Sequence, residues 1–228
     1  ASALAAAPWA RLRDVPLVLW YTSHGRSRVL EVARRIVSAG ATASSESYPP
    51  GGPPAFVVGH GIDTSRFRVR TQRPAAGDPP LVGTAGRLTP LKGAHVIIRA
   101  LARLHANGES KPRLRIAGAP FYPSDHAYRE RLRRLITELG LDDHVEFVGE
   151  LPPAEMPGFY SPLDAFVGWR ARPALDKTGL EALACGVPLI TNNTAYASLL
   201  GGFAGDFLVG SSPDDLARGL CSLLALQP

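Results

Sequence analysis

From Leu81 onward, short apolar runs alternate with stretches whose apolar residues recur at helical spacing. A strand over 81–86 ends in glycines, and Thr89-Pro90 then opens a helix, with Thr as N-cap and Pro in its first turn. Val96, Ile97, Ala100, Leu101 and Leu104 form the apolar face of that helix. Further strands are expected over 114–117, 145–148, 164–168 and 187–191. Helices are expected over 127–139, 154–160, 178–184 and 213–224, the last capped by Ser211 or Ser212. The strand segments are continuously apolar, as in parallel strands covered on both faces. The pattern predicts an α/β fold over 68–228, a Rossmann-like, doubly wound parallel sheet. Ligands of such sheets bind outside the carboxyl ends of the strands.

The first 60 or so residues follow another pattern. A strand over 15–21 precedes a helix over 27–38, with Val29, Leu30, Ala33, Ile36 and Val37 facing inward. A short strand over 41–43 and a Pro/Gly loop over 48–54 lead through Phe56-Val57-Val58 to Gly59-His60-Gly61-Ile62-Asp63. One and a half βα units are too few for a domain of the usual size. Residues 1–67 are therefore expected to be the C-terminal remnant of a neighbouring domain plus a connecting stretch, with a Pro-rich linker over 68–80. A chain with no initiator Met is expected to be processed, trimmed or a fragment.

Composition narrows the classes. With 45% hydrophobic and 20% charged residues, a wholly disordered chain and a coiled coil are excluded. The 23 Gly and 21 Pro follow no repeat period, which excludes collagen and implies many tight turns. No apolar run approaches the roughly 18 residues of a membrane-spanning helix, and 1–7 is too short for a secretory apolar region. Two cysteines, Cys185 and Cys221, make no disulfide framework, which points to the cytoplasm. The net charge of +5, mostly from Arg, favours anionic partners: nucleotides, phosphates or an acidic membrane surface met peripherally. Nucleic acid is not expected, because the Arg residues are scattered and no aromatic-studded basic strand is present.

Three constellations carry candidate chemistry. In Gly83-Thr84-Ala85-Gly86-Arg87, followed by Lys92-Gly93, strand-end glycines let backbone N–H groups approach a ligand. Arg87 offers a planar fork to phosphate oxygens and Lys92 a point charge. Lys92 in a first helical turn would be disfavoured by the macrodipole, which suits a site awaiting an anion; the bland alternative is a turn with two solvated cations. In Asp176-Lys177-Thr178-Gly179-Leu180-Glu181, the helix N-terminus near Thr178 and Gly179 offers free N–H donors. Thr178 and Glu181 also fit a capping box, which competes with a role for Glu181 on a ribose diol. The third is His24-Gly25, in a loop after a strand.

Gly86-Arg87-Leu88 with Lys92-Gly93, then Phe147-Val148-Gly149, then Leu180-Glu181-Ala182-Leu183-Ala184-Cys185-Gly186-Val187-Pro188, resemble the donor-domain signature of family-4 glycosyltransferases of the GT-B fold. Gly59-His60-Gly61-Ile62-Asp63 with Phe67 is similar to that family's interdomain stretch. The resemblance implies retaining transfer of a sugar from a nucleotide diphosphate to a lipid, glycan or small-molecule acceptor, with no cofactor and no bound metal. It implies two facing Rossmann-like domains, 1–67 being the tail of the acceptor-side domain and 68–228 the donor domain. Arg87 and Lys92 would bind the diphosphate and stabilise the leaving group, with Gly86 beside them. The backbone around Val148 would hold the base, Glu181 the ribose, and His24 would lie near the transferred sugar.

The family usually shows two Glu residues eight positions apart, and eight before Glu181 stands Pro173. Asp176, with Lys177, is expected to take over part of that role. Most of the acceptor domain is missing from the sequence, so transfer by this chain itself is expected to be weak or absent. Two other readings remain open: a non-catalytic nucleotide- or phosphate-binding module, and a GT-B-like sugar-nucleotide epimerase.

Overall fold

The structure, a computed structural model, describes residues 2–22, 25, 27–48, 54–69, 78–108 and 111–226. Packing divides the chain into two compact units: Ala1–Gly61 with Arg172–Leu175, and Ile62–Ala171 with Asp176–Pro228. In this division the first unit ends at Gly61 and takes in the short internal segment 172–175.

In the first unit, helix α1 (Ser2–Leu12) precedes strand β1 (Val18–Trp20), helix α2 (Arg28–Ile36) and strands β2 (Ala39–Thr42) and β3 (Ala55–Val57). The strands form a parallel sheet in the order β1-β2-β3. Helix α1 was not legible in the pattern: its Ala-rich run favours a helix, but Pro8 inside it argues against one. The Ser27 hydroxyl accepts from Leu30 N and caps α2. Leu30, Ala33 and Val37 are buried as expected, whereas Val29 is 48% exposed. Arg34 is buried on α2; its guanidinium bonds Glu31 and lies 5.3 Å from the Tyr48 ring centroid.

The second unit is the parallel α/β domain that the periodicity predicts. Its strands are β4 (Leu81–Ala85), β5 (Arg113–Ala117), β6 (Val145–Gly149), β7 (Ala165–Gly168) and β8 (Leu189–Thr191). They are parallel throughout, in the order β6-β5-β4-β7-β8. The helices are α3 (Ala94–Ala106), α4 (Pro123–Glu138), α5 (Met156–Tyr160), α6 (Lys177–Ala184), α7 (Ala197–Leu200), α8 (Ala204–Phe207) and α9 (Pro213–Ala225). Val82, Ala165, Val167 and Ile190 pack with α3, α4 and α9 in one core. Phe166 points the other way, with its ring 5.5 Å from that of Tyr160, because strand side chains alternate between faces.

Helix starts shift where tertiary contacts override local signals. The chain from Thr89 forms a 3₁₀ turn over Pro90–Lys92, passes through Gly93 in a left-handed conformation (φ 64°), and only then enters α3. The Trp169 ring occupies the space beside Gly93: an added Cβ would lie 1.9 Å from its Cε3. Lys92 is therefore outside the α-helix, and the macrodipole cost expected for it does not arise. Helix α4 begins four residues before the expected start, because buried Asp125 accepts from Phe121 N and Tyr122 N. Helix α9 is capped by Ser212, whose hydroxyl accepts from Asp215 N.

Phe166 is fully buried between the sheet and Tyr160. Phe166→Ala should destabilise the second unit by about 3–5 kcal/mol, read from urea unfolding. A cost below about 1 kcal/mol would contradict this packing.

Candidate functional site

The sheet order reverses between β4 and β7, the point at which such sheets open a crevice beyond their carboxyl ends. The loops leaving β4, β5 and β6 are joined backbone to backbone. Gly86 N donates to Ala117 O (3.0 Å), Leu88 N to Ala119 O (3.1 Å) and Gly118 N to Gly149 O (2.6 Å). Gly118, at φ 135°, lies so close to Gly86 that a Cβ would stand 1.9 Å from the Gly86 carbonyl oxygen. Only glycine permits that approach. A cavity of about 260 Å³ opens over these strand ends, with Gly86, Arg87, Phe121, Glu150, Thr178 and Glu181 in its walls.

Arg87 is exposed, and among the described residues no carboxylate pairs with it; its guanidinium lies 6.0 Å from the Phe121 ring centroid. Helix α6 presents its N-terminus with no side chain capping its backbone donors. The expected capping box is not formed. The Thr178 hydroxyl donates to Asp176 Oδ1 (2.9 Å), and Glu181 Oε2 accepts from the Tyr160 hydroxyl (2.9 Å). Tyr160 is buried, so its hydroxyl bond fixes the Glu181 carboxylate from below and leaves Oε1 for another donor. Burial raises the Glu181 pKa; the Tyr160 bond and Lys177 pull it the other way without cancelling the rise.

Asp176 is the electrostatic centre of the crevice. Its Oδ2 accepts from Lys92 Nζ (3.0 Å) and Arg170 Nη1 (2.9 Å), and its backbone carbonyl accepts from the Tyr196 hydroxyl (2.7 Å). Burial alone would raise its pKa, but Lys92 and Arg170 outweigh burial and hold it at about 2. Lys92 is thus not an unpaired cation, and Asp176, expected to meet a sugar in place of the carboxylate absent at Pro173, has both oxygens engaged within the chain. The pairing places Lys92 against Gly86: a Cβ there would lie 3.4 Å from Nζ.

Of the residues singled out by sequence, Gly86, Arg87, Thr178 and Glu181 line the strand-end cavity, and Lys92 adjoins it at Gly86. Gly179 is buried beneath the Tyr196 hydroxyl, where a Cβ would come within 2.4 Å. Lys177 is exposed, and neither it nor Val148 lines the cavity; Glu150 and Leu151 do so from that side. His24 lies outside the described residues. Arg170, Tyr160 and Phe121 were missed. They reach the site through tertiary contacts, and no motif in the sequence marks them.

Residues 65–228 match the family described as glycosyl transferases group 1. The chain belongs to this family. It is 31% identical over 229 residues to the GDP-mannose-dependent alpha-(1-6)-phosphatidylinositol monomannoside mannosyltransferase of Mycolicibacterium smegmatis, covering 93% of this chain and 54% of that protein. It is 28% identical to D-inositol 3-phosphate glycosyltransferase 2 of Catenulispora acidiphila, covering 88% and 50%. The chain spans about half the length of the curated relatives it matches. Among solved structures, Anabaena HepE in complex with UDP and glucose superposes with a TM-score of 0.79 at 22% identity, covering 97% of this chain and 65% of that one. The C-terminal domain of the group 1 family protein LpcC from Francisella tularensis gives 0.62 at 23% identity, covering 72% and 88%. These likenesses show the GT-B fold, with its Rossmann-like parallel sheets.

In this group 1 glycosyltransferase chain the Asp176 pairing has a pH signature. Asp176 binds its proton more weakly when folded, at about 2, than its ordinary value of 3.8. Its contribution to stability is therefore complete above about pH 4 and lost as pH falls toward about 2. The difference corresponds to about 2 kcal/mol. Asp176→Asn should lower stability at neutral pH by about that amount and flatten the acid limb, as urea unfolding across this range would show.

Proposed function

We propose that this chain is the donor-binding part of a retaining glycosyltransferase that takes a sugar from a nucleotide diphosphate. The observation that carries the reading is the meeting of Arg87, the α6 N-terminus and Glu181 around one cavity, with Lys92 held at its edge. The diphosphate sits between the Arg87 guanidinium, Lys92 and the open N–H donors of α6. As the sugar–phosphate bond breaks, negative charge grows on the leaving diphosphate. Arg87 and Lys92 stabilise that charge without a metal. Glu181, oriented by Tyr160, accepts from the ribose hydroxyls. Asp176 acts by holding Lys92 and Arg170 in place.

One relative is named for GDP-mannose and phosphatidylinositol monomannoside, and another for D-inositol 3-phosphate. These names favour an acceptor hydroxyl on a lipid head group, a glycan or a small polyol phosphate. No helix among the described residues is long and apolar enough to cross a membrane, and peripheral contact is the arrangement we propose.

Calorimetric titration with UDP and GDP, and with sugars carried on each, tests the donor site. At least one should bind. Arg87→Ala should raise its Kd about ten- to a hundredfold, the worth of a hydrogen bond to a charged group. Glu181→Gln should weaken nucleoside diphosphates more than inorganic pyrophosphate, which lacks the ribose. Lys92→Ala should lower both affinity and melting temperature, since it removes one of the two cations that hold Asp176. Binding unchanged by Arg87→Ala would defeat the reading.

A further inference from the structure

A second cavity, of about 500 Å³, lies in the groove between α3 and α4. His95 and Arg99, one turn apart on α3, form one wall, and Tyr128, Arg131, Arg134 and Glu138 on α4 form the other. The charge is unbalanced: three guanidinium groups share the groove with one carboxylate. Among the described residues none of Arg99, Arg131 and Arg134 makes an ion pair. Nearby arginines are matched: Arg133 with Glu130 (3.4 Å), Arg103 with Asp214 (3.1 Å) and Arg115 with Glu146 (2.6 Å). Arg129, on the same helix, lies over the Phe147 ring, and Arg131 lies over the Tyr128 ring, which leaves its fork without a carboxylate.

Like charges on adjacent turns and facing helices repel, and an anion in the groove removes that cost. The floor is ordered. His95 Nδ1 lies 2.8 Å from the Tyr128 hydroxyl, and its ring meets Trp169 edge-on at 6.2 Å. Burial, and then Arg99 and Arg131, lower the His95 pKa, so the ring already senses the positive field of the groove.

We propose that this groove is a second anion site, separate from the strand-end cavity, which takes the phosphate group of a phosphorylated ligand. Planar guanidinium forks of Arg99, Arg131 and Arg134 grip the phosphate oxygens. Glu138 accepts from a hydroxyl beside the phosphate. The volume admits a phosphate ester with its polyol, which a soluble metabolite and a phospholipid head group both present.

Two probes at low ionic strength test this: glycerol 3-phosphate, and vesicles of phosphatidylcholine alone or mixed equally with phosphatidylglycerol. Glycerol 3-phosphate should shift the His95 imidazole NMR signal, identified by its loss in His95→Gln, with saturation. Replacing Arg99, Arg131 and Arg134 together by Gln should raise the half-saturation point at least tenfold without lowering the unfolding midpoint. Arg87→Ala should respond like the parent chain, which keeps this test independent of the donor site. If mixed vesicles retain the parent chain, and neutral vesicles and the triple variant do not, the phosphate is a lipid's. If the soluble ester saturates the site and mixed vesicles do not retain the chain, the ligand is soluble. A His95 signal unmoved by the ester together with no retention by mixed vesicles, or a triple variant that responds like the parent, overturns the proposal.

Discussion

The crevice depends on one half-buried carboxylate. Asp176 stands at the start of α6 and draws together Lys92, from the turn after β4, and Arg170, from the end of β7. These strands are neighbours at the point where the sheet order reverses. A carboxylate with two cations and a hydroxyl around it satisfies its desolvation cost, whereas either cation left alone would not. The same three groups then leave a net positive charge at the crevice, which suits an anionic ligand. Stability and local charge therefore arise from one cluster.

Much of this was legible in the chain, for a definite physical reason. Strand and helix alternation in 81–228 follows from burial on both faces of the sheet, and burial leaves a periodic trace. Glycines at strand ends, with Arg87 beside them, also leave a local trace. What the sequence withheld are relations between residues distant in the chain. The pair Thr178 and Glu181 has the spacing of a capping box, yet Glu181 turns to Tyr160, 21 positions away, and Thr178 to Asp176. Lys92 has the look of a free cation because its partner lies 84 positions on. Val29 was placed inside by spacing alone, while Arg34, charged and buried, took a place beside Tyr48 that no hydropathy pattern assigns.

The strand-end glycines and the ion cluster work at different levels. Gly86 and Gly118 decide how closely two loops approach, and so fix the distance between the backbone donors of β4 and β5. The cluster decides which charge those donors accompany. Neither requires a moving part. A substitution at Gly118 would open the loops by the width of a methyl group and misplace Arg87 without touching it.

The packing of Trp169 on Gly93 has a practical side. The chain holds three tryptophans, and Trp9 and Trp20 both belong to the first unit. Trp169 is therefore the only indole of the second unit. Its ring lies on the turn that carries Lys92, touches His95, and donates from Nε1 to the Ser211 carbonyl. With Trp9 and Trp20 changed to Phe, the molecule's indole emission would come from this one ring. The fold thus carries a built-in optical reporter beside the turn that holds Lys92.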